Sequence, residues 1–171
     1  TITGRFLQNF NLRGFGKIIK VTNKAYEPEE VTNGTLFSPG ADASYSFSSR
    51  TARRDINPDW GVLLRSHFEE GKDITGVDMK GSIFVADSRL FLPGFIRHHS
   101  FYHQFAYERQ RDEQYRYTSY LLRPRGTKNI FMDESRKYSG NYLFPMFYPD
   151  WHASRWVYLK RVSMNLFYDD M

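Results

Sequence analysis

The sequence predicts an all-β protein, an antiparallel transmembrane β-barrel represented here by about seven strands. Period-two alternation of apolar and polar residues runs through most of the chain and indicates strands with two different faces. Several alternating runs exceed ten residues, whereas strands of globular proteins have about five or six and a tilted membrane strand needs about nine to eleven. Aromatic residues make up 18% of the 171 residues, although the mean hydropathy is only −0.61. Barrels place such aromatics in girdles at both membrane interfaces.

Seven candidate strands follow from the alternation. In the clearest run, Ile83 and Val85 share one face, and Ser82 and Phe84 share the other. We expect faces rich in Phe, Tyr, Val, Ile and Leu to meet lipid, and Ser, Asn, Gln, Arg and Glu to line the interior. The predicted strands cover residues 4–22, 41–52, 60–69, 76–91, 98–110, 136–147 and 155–168.

The connections alternate in character. Tight turns are predicted at 54–59, 92–97 and 148–151, and longer loops at 23–35, 69–75 and 111–136. This asymmetry is typical of barrels with short periplasmic turns and longer exterior loops. The residues predicted to form the periplasmic-turn motifs are Arg54, Asp55, Pro58, Pro93, Gly94, Pro149 and Asp150. The aromatics predicted for the membrane interface are Trp60, Phe95, Trp151 and Trp156.

The odd strand number predicts an incomplete barrel. Closed single-chain bacterial barrels have an even number of strands, at least eight, and open sheet edges cannot face lipid. We therefore interpret residues 1–171 as one barrel segment that lacks strands at one or both ends. Thr1 to Arg5 do not resemble a signal peptide, so an export signal is expected upstream.

No catalytic, cofactor-binding or metal site is predicted. The chain has no cysteine, which excludes disulfides and thiolate ligands. His99 and His103 could bind zinc together on a helix, but on a strand they belong to a stripe with Phe101 and Phe105, which favours an interfacial role. The acid pairs Glu29-Glu30, Glu69-Glu70 and Asp169-Asp170 are interpreted as solvated loop charges.

The basic character of the chain leaves two interpretations open. A net charge of +5 suits nucleic acid or lipid headgroups. Because the basic residues are scattered rather than clustered, an ordinary solvated surface explains the charge at least as well. Basic and aromatic residues interleave at 107–120 and 123–128, as in proteins that stack single-stranded bases. Lining the polar interior or mouth of a barrel explains the mixture equally well. We predict no nucleic-acid partner, because Asp112 and Glu113 interrupt the first run.

Three stretches together resemble a known group of proteins. They are Ala52 to Gly61, Leu92 to Ser100, and Tyr142 to Trp151 with its continuation to Asp169. They are similar to the C-terminal barrels of large outer-membrane proteins that carry a β-propeller ahead of the barrel. The closing region is more distantly similar to the bacterial surface antigen superfamily of barrel-assembly and two-partner-secretion transporters.

The superfamily resemblance implies a structural loop motif. In that superfamily an Arg-Gly-aromatic sequence folds from an exterior loop into the lumen. Here Arg125-Gly126 takes that place with Arg123 just before it, although Thr127 replaces the aromatic. The resemblance implies that Arg125 pairs with an acidic residue of the barrel wall, and that strands follow the Tyr168-Asp169 pair.

Together the pattern and the resemblance imply a non-enzymatic protein of the Gram-negative outer membrane. It would act as a scaffold or conduit in transport, secretion or outer-membrane assembly. The expected partners are outer-membrane lipid and other outer-membrane or periplasmic proteins of a larger complex. The competing hypothesis is a soluble β-sandwich that presents Trp60, Trp151, Trp156 and tyrosines to a glycan.

Overall fold

The protein is all-β in the residues that the structure, a computed structural model, describes. These are residues 5–21, 34–51, 55–76, 78–113, 115–121, 132–149, 151–154, 157–159 and 161–171. Within them there is no helix, and the chain forms long strands joined by turns and loops. The strands are β1 Phe6–Val21, β2 Gly34–Ser49, β3 Gly61–Asp73, β4 Lys80–Pro93, β5 Ser100–Glu113, β6 Glu134–Phe147, β7 Trp151–Ser154, β8 Val157–Leu159 and β9 Val162–Asp170.

Seven of the strands form one antiparallel sheet in the order β1-β2-β3-β4-β5-β6-β9. From β1 to β6 each strand pairs with the next one along the chain in a single register, as in the pairs Leu64 with Ser88 and Ser88 with Phe105. The register shifts once in the β6–β9 pair, between Pro145 and Phe147. The short strands β7 and β8 pair only with each other. The prediction of seven antiparallel strands is confirmed. Among the described residues β1 and β9 are not paired with each other, so the sheet is not closed into a barrel.

The strand bounds correct several sequence predictions. β2 begins at Gly34 rather than 41, and β3 runs on to Asp73, through the predicted 69–75 loop. The predicted final strand 155–168 is replaced by β9 at Val162–Asp170. The alternation of apolar and polar residues predicted the middle of each strand correctly. It was less accurate at the strand ends, where glycines and charged residues interrupt the alternation.

The connections correct the predicted length asymmetry. The β3–β4 connection covers 74–79 and the β4–β5 connection covers 94–99, so a predicted long loop and a predicted tight turn are equally short. The predicted turn at 148–151 is part of a longer connection that contains the β7–β8 pair. The β1–β2 connection, from 22 to 33, and the β5–β6 connection, from 114 to 133, are longer, as predicted. We name the end with β4–β5 the turn end and the end with β5–β6 the loop end.

The sheet has two faces with opposite character. Side chains of residues paired across antiparallel strands point to the same face, so the register assigns each residue to one of them. We call them the polar face and the apolar face. The polar face carries residues such as Lys17, Ser38, Asp42, His67, Glu69, Asp87, Gln104 and Glu108. The apolar face carries residues such as Phe10, Phe37, Leu64, Phe84, Phe105 and Leu166.

The distribution of buried and exposed residues between the two faces differs from that of a typical soluble protein. Among the described strand residues, every buried one except Ser49 lies on the polar face, including Glu69, Glu108 and Gln110. Phe10, Phe37 and Phe105 on the apolar face are exposed. In soluble proteins charged residues are almost never fully buried unless paired, and large apolar patches are rarely left open.

A small hydrophobic cluster lies on the polar face and corrects one prediction. It contains Ile83, Val85 and Ala106 of the sheet, packed against Tyr117 and Leu121 of the β5–β6 connection. The sequence correctly predicts that Ile83 and Val85 share a face. However, the expectation that Val and Ile meet lipid is wrong for this pair, because a loop segment from outside the strand covers them.

Candidate functional site

Residues 115–121, which we call the inward loop, lie against the polar face. Glu108 of β5 holds this segment. One carboxylate oxygen accepts hydrogen bonds from the Ser119 hydroxyl at 3.0 Å, from the Tyr120 amide at 2.8 Å and from the Leu121 amide at 3.2 Å. The other oxygen accepts a bond from Gln110 Nε2 at 2.9 Å. Since hydrogen bonds to an ionised group are the strong ones, Glu108 is the main polar anchor of the loop.

A second anchor joins the inward loop to β2. The Tyr117 hydroxyl is hydrogen-bonded to the Ser38 hydroxyl. Ser38 in turn donates to one oxygen of Glu69 at 2.7 Å, and Lys17 Nζ donates to the other at 2.8 Å. Glu69 is 0% exposed, and a buried carboxylate is tolerable only with such partners. The interpretation of Glu69 as a solvated loop charge is therefore wrong.

An imidazole lies next to this ion pair. His67 Nδ1 is 2.6 Å from an Asp42 carboxylate oxygen, and Nε2 is 3.4 Å from Glu69 Oε2. The ring centroid of Tyr120 is 4.4 Å from that of His67, and the Phe15 ring stacks on the same imidazole at 5.7 Å. The imidazole thus connects the acidic groups of β2 and β3 to the inward loop.

Two glycines make room for the inward loop. An added Cβ at Gly81 would lie 2.4 Å from the Tyr115 carbonyl oxygen, and one at Gly71 would lie 2.5 Å from the Tyr117 hydroxyl. Both distances are too short for a methyl group, so the loop can pack this closely only over residues without a side chain.

We expect Gly81→Ala to displace the inward loop and to lower the free energy of unfolding by about 1–3 kcal/mol, the usual cost of overpacking. The contact is to backbone, so it cannot be relieved by a rotamer change. Gly14→Ala is the matched control, because an added Cβ at Gly14 meets nothing within 4 Å. Denaturant titration of both variants measures the difference, and equal stability of the two would contradict the packing described here.

Burial raises the pKa of the Tyr117 phenol above its ordinary value of 10.0, a shift that the hydrogen bond with Ser38 partly offsets. Because the folded state favours the neutral phenol, its contribution to stability is complete below the unfolded value and is lost as the pH rises through the raised pKa. We expect loop docking to weaken above about pH 10. Tyrosinate absorbance during alkaline titration should lose one late-titrating group in Tyr117→Phe, and an unchanged profile would contradict this.

A cavity of about 440 Å³ opens on the polar face beside the inward loop. Charges of both signs line it, with Asp87, Arg65, Arg89 and Lys137 among them. Gln104 Nε2 lies 3.2 Å from both carboxylate oxygens of Asp87. This space can hold water and polar solutes, and it faces away from the apolar face.

The turn end brings together several residues that the sequence predicted separately. His98 Nδ1 lies 2.7 Å from an Asp55 carboxylate oxygen, which ties the β4–β5 turn to the β2–β3 connection. Trp60 and Phe95 are 53% and 85% exposed and line one cavity together with Pro93 and Gly94. Pro58 and Pro149 lie in the connections outside the strands.

The histidines considered as zinc ligands each contact a different partner in the structure. His98 faces Asp55, His99 Nδ1 is 2.7 Å from the Tyr142 hydroxyl, and His103 Nδ1 is 2.9 Å from the Tyr138 hydroxyl. Among the described residues, no group of three or more His, Asp or Glu side chains is placed to hold a metal ion.

Other predicted residues lie outside the described part of the chain. They are Arg54, Arg123, Arg125, Gly126, Asp150, Trp156 and the acid pair Glu29-Glu30; Trp151 is described only as part of β7. The sequence analysis did not predict that Glu108, Ser38 and Tyr117 together hold the inward loop. The available signal was that Glu108 and Gln110 share the polar face of β5; nothing in the sequence indicated that residues 119–121 fold back onto that face.

Comparisons with protein-family models, with curated proteins and with solved structures found no match to this chain. The resemblance to propeller-plus-barrel proteins and to the surface antigen superfamily therefore stays a prediction. In the part of the chain that the structure describes, no helix has the length and apolar character needed to cross a membrane.

Proposed function

We propose that this chain is the membrane-embedded sheet of an outer-membrane β-barrel protein that acts as a scaffold or conduit in transport, secretion or outer-membrane assembly. One observation carries the proposal: the buried strand residues lie on the polar face, and the large exposed hydrophobic residues lie mostly on the apolar face. Transmembrane barrels need this arrangement, with apolar residues towards lipid and polar residues towards the lumen.

The distribution of charge on the apolar face supports the proposal. Among the described side chains of β1 to β6, the charged residues of the apolar face lie only near the loop end: Lys20, Glu70, Lys72, Lys80, Arg109, Arg111, Glu134 and Arg136. The apolar-face positions are uncharged from Phe6 to Ile18 in β1 and from Tyr138 to Met146 in β6. At about 3.3 Å per residue and a tilt of about 40°, these runs span roughly 30 Å and 20 Å. The apolar band of outer-membrane barrels is about 25 Å tall.

The open edges of β1 and β9 fit the same proposal. In a bilayer, unpaired strand edges cannot face lipid, so we expect both edges to pair with further strands of the barrel. The inward loop would then lie in the lumen. This position accounts for its attachment through Glu108 and Ser38, which keeps its polar backbone away from lipid.

Detergent partitioning and gel mobility test the proposal directly. We expect the protein to partition into detergent and to migrate differently on a denaturing gel before and after boiling, because folded barrels resist dodecyl sulfate until heated. Recovery in the aqueous phase, with the same mobility before and after boiling, would refute it.

The soluble β-sandwich alternative is not supported by the sheet arrangement. A sandwich packs two sheets face to face at about 10 Å. Beside the seven-stranded sheet, the described residues contain only the short β7–β8 pair. That pair is too small to cover an apolar face seven strands wide.

A further inference from the structure

A cavity of about 690 Å³ lies at the turn end, between the β2–β3 connection and the β4–β5 turn. Its volume is within the roughly 300–1,000 Å³ typical of sites for small ligands. Three arginines line it, Arg5, Arg50 and Arg97, against two aspartates, Asp55 and Asp59. Asp55 is already engaged by His98 Nδ1 at 2.7 Å, so the lining favours an anion.

The cavity lies at the end of the sheet, where residues of both faces line it: Arg5 and Arg50 pair next to Phe6 and Ser49 and continue the polar face. Phe6 and Ser49 are register partners on the apolar face, and both line it. Trp60 is fixed beside them, because its amide donates to the Ser49 hydroxyl at 3.2 Å and its carbonyl accepts from the Ser49 amide at 2.7 Å. The Phe95 ring meets Phe101 of the apolar face at 5.1 Å.

The two walls of the cavity are held in place. In the β4–β5 turn the Gly94 amide donates to the His99 carbonyl at 2.9 Å, and the His99 amide donates to the Ile96 carbonyl at 3.1 Å. His98 adopts a φ of 68°, an uncommon conformation for a residue other than glycine, and its ring reaches Asp55 across the cavity wall.

We propose that this cavity binds the headgroup of an anionic glycerophospholipid, an inference that rests on the proposed membrane function. The arginines would contact the phosphate, for which the guanidinium fork has matching geometry. Trp60, Phe95 and Ile96 are exposed beside them and would lie at the glycerol and upper acyl level, where amphipathic and aromatic side chains are favoured. The ligand class follows from the combination of three arginines in the lining with exposed apolar residues, of which Phe95 contacts the apolar face through Phe101.

Native mass spectrometry of the full protein in detergent tests the proposal, with phosphatidylglycerol, phosphatidylcholine or inorganic phosphate added separately. We expect the wild type to retain phosphatidylglycerol, and the triple variant Arg5→Gln, Arg50→Gln, Arg97→Gln to retain at least about tenfold less, because each charge-assisted contact contributes to affinity. The matched control is Lys20→Gln, Lys80→Gln, Arg111→Gln, which removes the same charge from the apolar face at the loop end. It should retain phosphatidylglycerol like the wild type.

Equal retention by both triple variants would overturn the proposal, and so would full competition by inorganic phosphate, which indicates an adventitious anion site only. The single variant Arg97→Gln, in an exposed turn, should show an intermediate loss if the triple variant does not fold. The gel shift on boiling is recorded for every variant. A protein that keeps the shift but retains lipid independently of the arginines contradicts the lipid site alone, whereas loss of the shift in the wild type contradicts the membrane function.

Discussion

Leu64→Arg is expected to destabilise the folded protein in a bilayer by about 2–4 kcal/mol, the cost of an arginine on the lipid face of a barrel near the midplane. Leu64 lies in the middle of the apolar face, in the register row of Tyr45, Ser88 and Phe105. Its side chain is exposed on that face. In water the same change would cost little, because an exposed arginine is well solvated.

The matched control is Ser46→Arg, which places the same side chain on the polar face of the neighbouring strand β2. There we expect a change below about 1 kcal/mol, since the side chain stays hydrated. Folding in lipid vesicles over a urea gradient measures both variants. Equal loss of stability, or no loss for Leu64→Arg, would show that the apolar face does not meet lipid.

Glu108→Ala is expected to release the inward loop and to lower the free energy of unfolding by about 3 kcal/mol, because it removes three charge-assisted hydrogen bonds from the loop to β5. The donors are the Ser119 hydroxyl and the amides of Tyr120 and Leu121. A released loop would no longer cover the cavity beside it. In planar bilayers we therefore also expect a higher conductance for this variant than for the wild type.

Glu134→Ala is the matched control for Glu108. Glu134 is an exposed carboxylate at the start of β6, with Arg136 Nη2 at 2.7 Å. Exposed ion pairs contribute only about 0–1 kcal/mol, so this variant should retain the stability and conductance of the wild type. Limited proteolysis reports the state of the loop, which should be cleaved faster only in Glu108→Ala. If both variants behaved alike, Glu108 would not be the anchor.

Much of the sheet could be predicted from the sequence, because strand sidedness is a local property. The alternation of Tyr138, Gly140 and Tyr142 with Ser139 and Asn141 assigns faces that agree with the observed register. The number of sheet strands follows from such runs. Sheet closure did not follow, since pairing of the outermost strands depends on residues far apart or on other strands.

The candidate site could not be predicted, because its contacts join distant parts of the chain. Ser38 and Tyr117 are 79 residues apart, and Lys17 and Glu69 are 52 apart. Alternation places Glu69 and Glu70 on opposite faces of β3, but it does not show that Glu69 is buried beneath partners from other parts of the chain. Likewise, the sequence predicts that Ile83 and Val85 face lipid, whereas in the structure the loop that follows β5 covers them.

Single-cysteine labelling in reconstituted liposomes tests the membrane arrangement most directly, and it is practical because the chain contains no cysteine. Leu64→Cys and Phe105→Cys probe the apolar face, and their neighbours Arg65→Cys and Gln104→Cys probe the polar face. We predict that a lipid-soluble maleimide labels the first pair and that a water-soluble, membrane-impermeant reagent labels the second. Equal labelling of adjacent positions by the water-soluble reagent would contradict a sheet with one face in lipid.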